Sequence, residues 1–104
     1  RMLNDGIKVL DEGLFGCDDA GATDLAQTQR LIVEINSMYK ALAEITKGLF
    51  FLSPVGLLSD VTGSFLTNMS DDGVHLSQTG TITLAQKEAT IFTALFGPPA
   101  SSGY

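Results

Sequence analysis

The feature that most constrains the fold is a long helical pattern set between two short apolar runs. Asp24 can cap a helix, with Gln27 three residues on as its capping-box partner. Leu31, Ile35, Met38, Leu42 and Ile45 then recur at spacings of four, three, four and three, which gathers them on one side of a helix. Lys47-Gly48 is a good place to stop. Before this helix stands Ile7-Lys8-Val9-Leu10, a short β-type run introduced by the turn-forming Asn4-Asp5-Gly6. After it comes Leu49-Phe50-Phe51-Leu52, halted by Ser53-Pro54 and apolar on both faces, as in a parallel sheet covered on both sides. A helix of this length can carry the chain back so that the second strand lies parallel to the first. The pattern predicts a βαβ unit and an α/β fold. The apolar stripe would also suit a partner-binding seam, but it lasts only about two heptads, and ordinary core packing is the expectation.

The remaining segments fill in around that unit. Asp11 to Thr23, rich in Gly and Asp, is long for a plain connection, and long loops often carry function. Val55 to Leu58 reads as a short helical turn. Asp60 to Asn68 reads as irregular surface chain with Val61, Phe65 and Leu66 turned inward. Ser77 or Thr79 can cap a last helix running to about Phe96, with Ile82, Ala85, Ala89, Phe92 and Phe96 spaced to bury one face. Gly97-Pro98-Pro99 stops it, and residues 98–104 read as a flexible tail. No internal repeat is present. The 104 residues are expected to hold a single domain, with room for one modest core.

Composition narrows the partners. Six basic residues against twelve acids give a formal charge of -6, and the bases are scattered through the chain. A nucleic-acid surface gathers Lys and Arg on one face, so neither nucleic acid nor an anionic membrane is an expected partner. No apolar run approaches the roughly 18 residues that a membrane span needs, and a soluble protein is expected. Cys17 stands alone, which excludes an intrachain disulfide and a cysteine-rich zinc site, and it is read as an inert, semi-buried thiol. The start, Arg1-Met2-Leu3-Asn4-Asp5, has no signal-peptide character and reads like the interior of a longer protein or a cleavage end, so the compartment is not legible.

The chemistry gathers in Ser70-Asp71-Asp72-Gly73-Val74-His75-Leu76-Ser77-Gln78-Thr79-Gly80, which holds the protein's one histidine. A serine hydroxyl is a weak nucleophile at neutral pH, and histidine is the side chain suited to take its proton. A carboxylate on the far ring nitrogen fixes the tautomer and steadies the imidazolium. An acid three residues upstream can do this if the chain turns tightly, and Gly73 permits the turn. Asp71, four residues from His75, is a competing acid whose plain role is a solvated loop charge.

Asp-Gly-Val-His followed by a polar turn and a terminal helix resembles the last sequence block of the SGNH (GDSL-type) serine hydrolases, with Leu76 where that family often has proline. The resemblance selects Asp72 over Asp71. It implies that His75 and Asp72 belong to a catalytic triad, and that the fold is the C-terminal βαβ-α part of a flavodoxin-like three-layer domain. It implies as substrates carboxylic esters: a small ester, a lipid or an acetylated carbohydrate. No metal or organic cofactor is implied. In that family the loop after the strand matching Ile7–Leu10 borders the active site, and Leu14-Phe15-Gly16-Cys17 faintly resembles it. The family's nucleophile lies in an upstream Gly-Asp-Ser, and no such triplet occurs here. Gly63-Ser64 lacks the Asp and a preceding strand, so Ser64 is not taken as the nucleophile. Asn4-Asp5 lacks the glycine of the family's oxyanion block, Met2 standing there, and is read as a turn. The resemblance thus covers the C-terminal half of the family's domain and implies the N-terminal half, attached or cleaved, as partner. Two other readings stay open: a non-catalytic α/β or helical interaction subunit, and a degenerate SGNH domain that binds carbohydrate or lipid without cleaving it.

Overall fold

The computed structural model describes residues 8–19 and 24–97. Strand β1 (Val9–Asp11) is followed by helix α1 (Leu25–Ile45), strand β2 (Leu49–Phe51) and helix α2 (Gln78–Phe96). The strands pair in parallel, Val9 opposite Leu49 and Asp11 opposite Phe51. The chain is therefore α/β, with α1 as the crossover of a βαβ unit. Val9 N–H donates to Gly48 O and Leu52 N–H to Asp11 O, both at 2.8 Å. Parallel alternation then turns the N–H and C=O of Leu10 to the opposite edge of β1, where no described strand lies. The Asn4-Asp5-Gly6 turn, Ile7, the end of the long loop and the tail from Pro98 lie outside the described residues.

Helix α1 begins as its sequence directs, Asp24 Oδ1 accepting from Gln27 N–H at 3.0 Å. Its packed face differs from the expected one. Leu31, Met38, Leu42 and Ile45 are exposed, Ile45 by 82%. Ile32 and Asn36 are buried instead. The cause is polar. The loop after β1 has main-chain groups that need partners, and Asn36 supplies them by accepting from Leu14 N–H and donating to Leu14 O, each at 2.8 Å. Gln29, seven residues earlier on the same face, donates to Cys17 O at 2.7 Å. Meeting these groups turns the regular apolar stripe outward.

The same correction applies to α2. Ile82, Ala85, Ala89, Phe92 and Phe96 are exposed, whereas Leu84, Glu88, Ile91 and Leu95 are half-buried on the side that meets the chain. Lys8, just before β1, reaches the end of this helix, donating to Leu95 O at 2.6 Å with its ammonium 5.6 Å from the Phe96 ring centroid. Val61, expected inward, is 74% exposed. It sits in a turn whose side-chain acceptor is Asp60, and Phe65 and Leu66 do the inward packing there. The sheet is not enclosed on both faces either: all three β2 residues are half-buried, and only Leu52 beyond them is buried.

Among the described residues the buried apolar set is small: Ile32, Leu52 and Leu58. Leu58 has no exposed surface and anchors the connection from β2 to α2. Pro54 O accepts from the N–H groups of Leu57, Leu58 and Ser59, and Leu66 N–H returns to Leu58 O at 2.9 Å. Leu58→Ala is expected to cost about 3 kcal/mol, since a deleted core leucine loses both transfer energy and packing. Urea unfolding checks this, and a loss below about 1 kcal/mol would contradict the anchoring role.

A second consequence concerns pH. Glu12 Oε2 is buried with no hydrogen-bond donor facing it among the described residues. Its carboxyl is pushed up to about 7, first by burial, then by the neighbouring Glu88 carboxyl on α2 and by the charge of Asp11. The native state thus keeps a proton that the unfolded chain gives up near its ordinary value. The stability this contributes is complete below that ordinary value and fades as pH rises through about 7. The unfolding free energy is expected to fall by roughly 1 kcal/mol, after solvent screening, from pH 5 to pH 8, and the urea midpoint to fall with it. Glu12→Gln should flatten the dependence, and an unchanged slope in that variant would overturn the assignment.

Candidate active site

The turn from Ser70 to Leu76 is closed by an antiparallel bridge between those two residues. Ser70 Oγ sits inside it, donating to His75 O at 2.6 Å and accepting from Gly73 N–H at 2.9 Å. Asp72 Oδ1 accepts from the N–H groups of Val74 and His75 at 2.8 and 2.7 Å. This short-range capture by an aspartate is what lets so few residues turn so sharply. Gly73 supplies the left-handed step, with φ of 82°. Helix α2 fixes the far end: Ser77, not Thr79, is its cap, accepting from Gly80 N–H at 3.0 Å while its own N–H donates to Met69 O.

The fold leaves Asp72 Oδ2 aimed at the His75 ring, 2.8 Å from Nδ1. The ring hydrogen bond, followed by the N–H groups of His75 and Val74, holds the Asp72 carboxyl well below its ordinary value. An ionised carboxylate can only accept, so this contact is a hydrogen bond when Nδ1 carries a proton, and in the neutral ring of that tautomer Nε2 keeps its lone pair. That is the tautomer a general base requires. Asp71 makes no such contact; Asp72 is the acid that meets the ring. The pair lies open, with side-chain exposures of 81% for His75 and 55% for Asp72. An ion pair this exposed adds little stability.

No protein-family model, curated protein or solved structure matches this chain. What the site can do is read from its own geometry: a directed imidazole base, held by a carboxylate, at the surface of a βαβ unit. Ser64, the serine beside Gly63, donates its hydroxyl to Asp18 Oδ1 at 2.6 Å, a bond to a carboxylate and not to His75. Asn4-Asp5 lies outside the described residues. Among the described residues no helix is long and apolar enough to cross a membrane, and no group of three or more His, Cys, Asp and Glu side chains could hold a metal.

Sequence reasoning missed Asp18, Gln29 and Asn36. Asp18 stands in a loop rich in Gly and Asp, with nothing in the sequence to single it out. The signal for the other two was available: Gln29 and Asn36, seven apart, share a face opposite the regular apolar stripe, where an ordinary solvent face would carry charges.

Proposed function

We propose that this chain is the C-terminal part of an SGNH-type serine hydrolase of carboxylic esters, in a flavodoxin-like three-layer domain. His75 is the base and then the acid, and Asp72 orients it. The observation that carries the reading is the bond from His75 Nδ1 to Asp72 Oδ2, made while the other carboxylate oxygen is engaged by the turn's own N–H groups. The parallel βαβ unit and the contact of the loop after β1 with the His75 turn support it.

A serine on an upstream segment attacks the ester carbonyl and its proton passes to Nε2 of His75. The tetrahedral intermediate collapses as His75 returns that proton to the leaving alkoxide, leaving an acyl-enzyme. Water then attacks the acyl carbonyl, His75 takes the water's proton and gives it to the serine oxygen, and the carboxylic acid departs. Asp72 stays ionised throughout and steadies the imidazolium. The partner in this reading is the N-terminal half of the same domain, attached or cleaved. It supplies the nucleophile, the oxyanion donors and a strand for the open edge of β1, and it covers the outward apolar faces of α1 and α2. An unfinished sheet edge is otherwise an aggregation hazard.

The test is hydrolysis of short-chain p-nitrophenyl esters by the pure 104-residue chain and by the longer protein that contains it. Activity is expected only in the longer protein. Turnover by the pure chain would overturn the division of the triad between segments. A second reading, a non-catalytic interaction subunit, is favoured by the exposed apolar stripes and by the openness of the His75 pair. In that case the longer protein is inactive as well, and His75→Ala leaves its association unchanged. A degenerate domain that binds carbohydrate or lipid would retain the fold and show neither activity nor a reactive serine.

A further inference from the structure

We propose that Asp18 is a positioning residue for His75, acting through the main chain of Gly73. The proposal deepens the hydrolase reading and rests on it for its catalytic meaning. The loop that leaves β1 reaches Cys17 and Asp18 at a point where three separate segments meet. From α1, Gln29 Nε2 donates to Cys17 O at 2.7 Å and to Asp18 Oδ1 at 3.2 Å. From the connection after β2, Ser64 Oγ donates to Asp18 Oδ1 at 2.6 Å and Phe65 N–H to Asp18 Oδ2 at 2.7 Å. Cys17 N–H donates to Gly63 O at 2.9 Å on the same side. Both oxygens of the carboxylate are thus occupied, by donors from two different parts of the fold.

What this anchored residue does next bears on His75. Its own N–H donates to Gly73 O at 2.8 Å. Gly73 follows Asp72 directly and carries the left-handed step of the turn. The contact is close as well as bonded: a Cβ at Gly73 would lie 2.7 Å from the carbonyl carbon of Asp18. The turn bearing Asp72 and His75 therefore rests on a backbone segment whose place is set by the Asp18 carboxylate. None of the hydrogen bonds of Asp18 reaches the ring or Asp72. A short turn with an exposed imidazole has little packing of its own to hold it, so an outside main-chain tie matters more here than it would in a core.

The single histidine makes the test direct. Long-range 1H–15N spectra of the histidine-labelled 104-residue chain report which ring nitrogen carries the proton, with no substrate needed. The expected wild-type result is a ring predominantly protonated on Nδ1. Asp18→Ala is expected to lower that fraction at least twofold while far-UV circular dichroism remains that of the folded chain. A folded Asp18→Ala chain with the wild-type tautomer would overturn the proposal, as would a wild-type ring protonated mainly on Nε2. If Asp18→Ala does not fold, Asp18→Asn decides by the same criterion, since its Oδ1 still accepts from Ser64 and Gln29 while the Phe65 N–H loses its acceptor. In the longer protein the accompanying result is a kcat lowered about 10- to 100-fold with KM within about twofold, the mark of a misplaced base. A tautomer shift in a longer protein that hydrolyses no ester would keep the positioning role and remove the hydrolase reading, so the two can fail separately.

Discussion

His75→Ala in the longer protein is expected to lower kcat/KM for a short-chain ester about 10⁵-fold, and Asp72→Asn about 10⁴-fold, leaving the acceleration due to binding and oxyanion donors. Neither change should disturb the fold. The His75 ring is 81% exposed and packs against no core. Asp72→Asn keeps an acceptor oxygen for the N–H groups of Val74 and His75, which hold the turn closed. Its amide can instead donate toward Nδ1, which moves the ring proton to Nε2 and removes the base. The pair is thus expected to separate activity from stability: unfolding midpoints stay near the wild-type value while turnover collapses. Steady-state kinetics beside urea titrations check this. A His75→Ala enzyme within tenfold of wild type would remove His75 from the mechanism.

Gly73→Ala should produce the opposite combination, losing stability and function together. The residue has φ of 82°, and the added Cβ would lie 2.7 Å from the carbonyl carbon of Asp18, 2.8 Å from the nitrogen of Asp19 and 2.9 Å from the carbonyl oxygen of Asp18. All three are backbone atoms, which cannot swing aside as a flexible side chain would. The left-handed conformation costs about 1–2 kcal/mol for alanine, and overpacking adds about 1–3. A total of about 2–5 kcal/mol lowers the Tm of a domain this size by about 10 °C or more. Relieving the clash also pulls Asp18 away from Gly73 and breaks their hydrogen bond. Gly56 is the control, with φ of 84° and nothing within 4 Å of its would-be Cβ. Gly56→Ala should cost only the conformational part, about 1–2 kcal/mol. Equal losses at the two positions would show that the contact with Asp18 is not what makes Gly73 special.

The order of elements was legible because each is announced locally. Asp24 and Ser77 cap their helices, Gly48 and Gly97 follow the helix ends, and Leu49–Phe51 is the short apolar run that pairs as the second strand, though half-buried and not fully covered. The Asp72–His75 contact was legible for the same reason, since it closes over three residues and needs only the turn that Gly73 allows. The packed faces of the helices were not. Periodicity reports that Leu31, Ile35, Met38, Leu42 and Ile45 share a side, not what lies against that side. Whether Asn36 or Met38 turns inward depends on the unpaired main chain of Leu14, twenty-two residues away. Glu12 and Glu88 illustrate the same limit, because two acids 76 positions apart give no sign that they will meet. Asp18 is the most instructive case: its donors come from Gln29, Ser64 and Phe65, none of which marks it in sequence.

The central claim is that Asp72 and His75 complete a triad whose serine lies outside these residues. Fluorophosphonate labelling of the native protein, followed by intact mass and peptide mapping, tests it most directly. The expected result is one adduct, on a serine outside these residues, abolished by His75→Ala. Well-folded protein that takes no label, or a label on a serine of this chain such as Ser64, would contradict it.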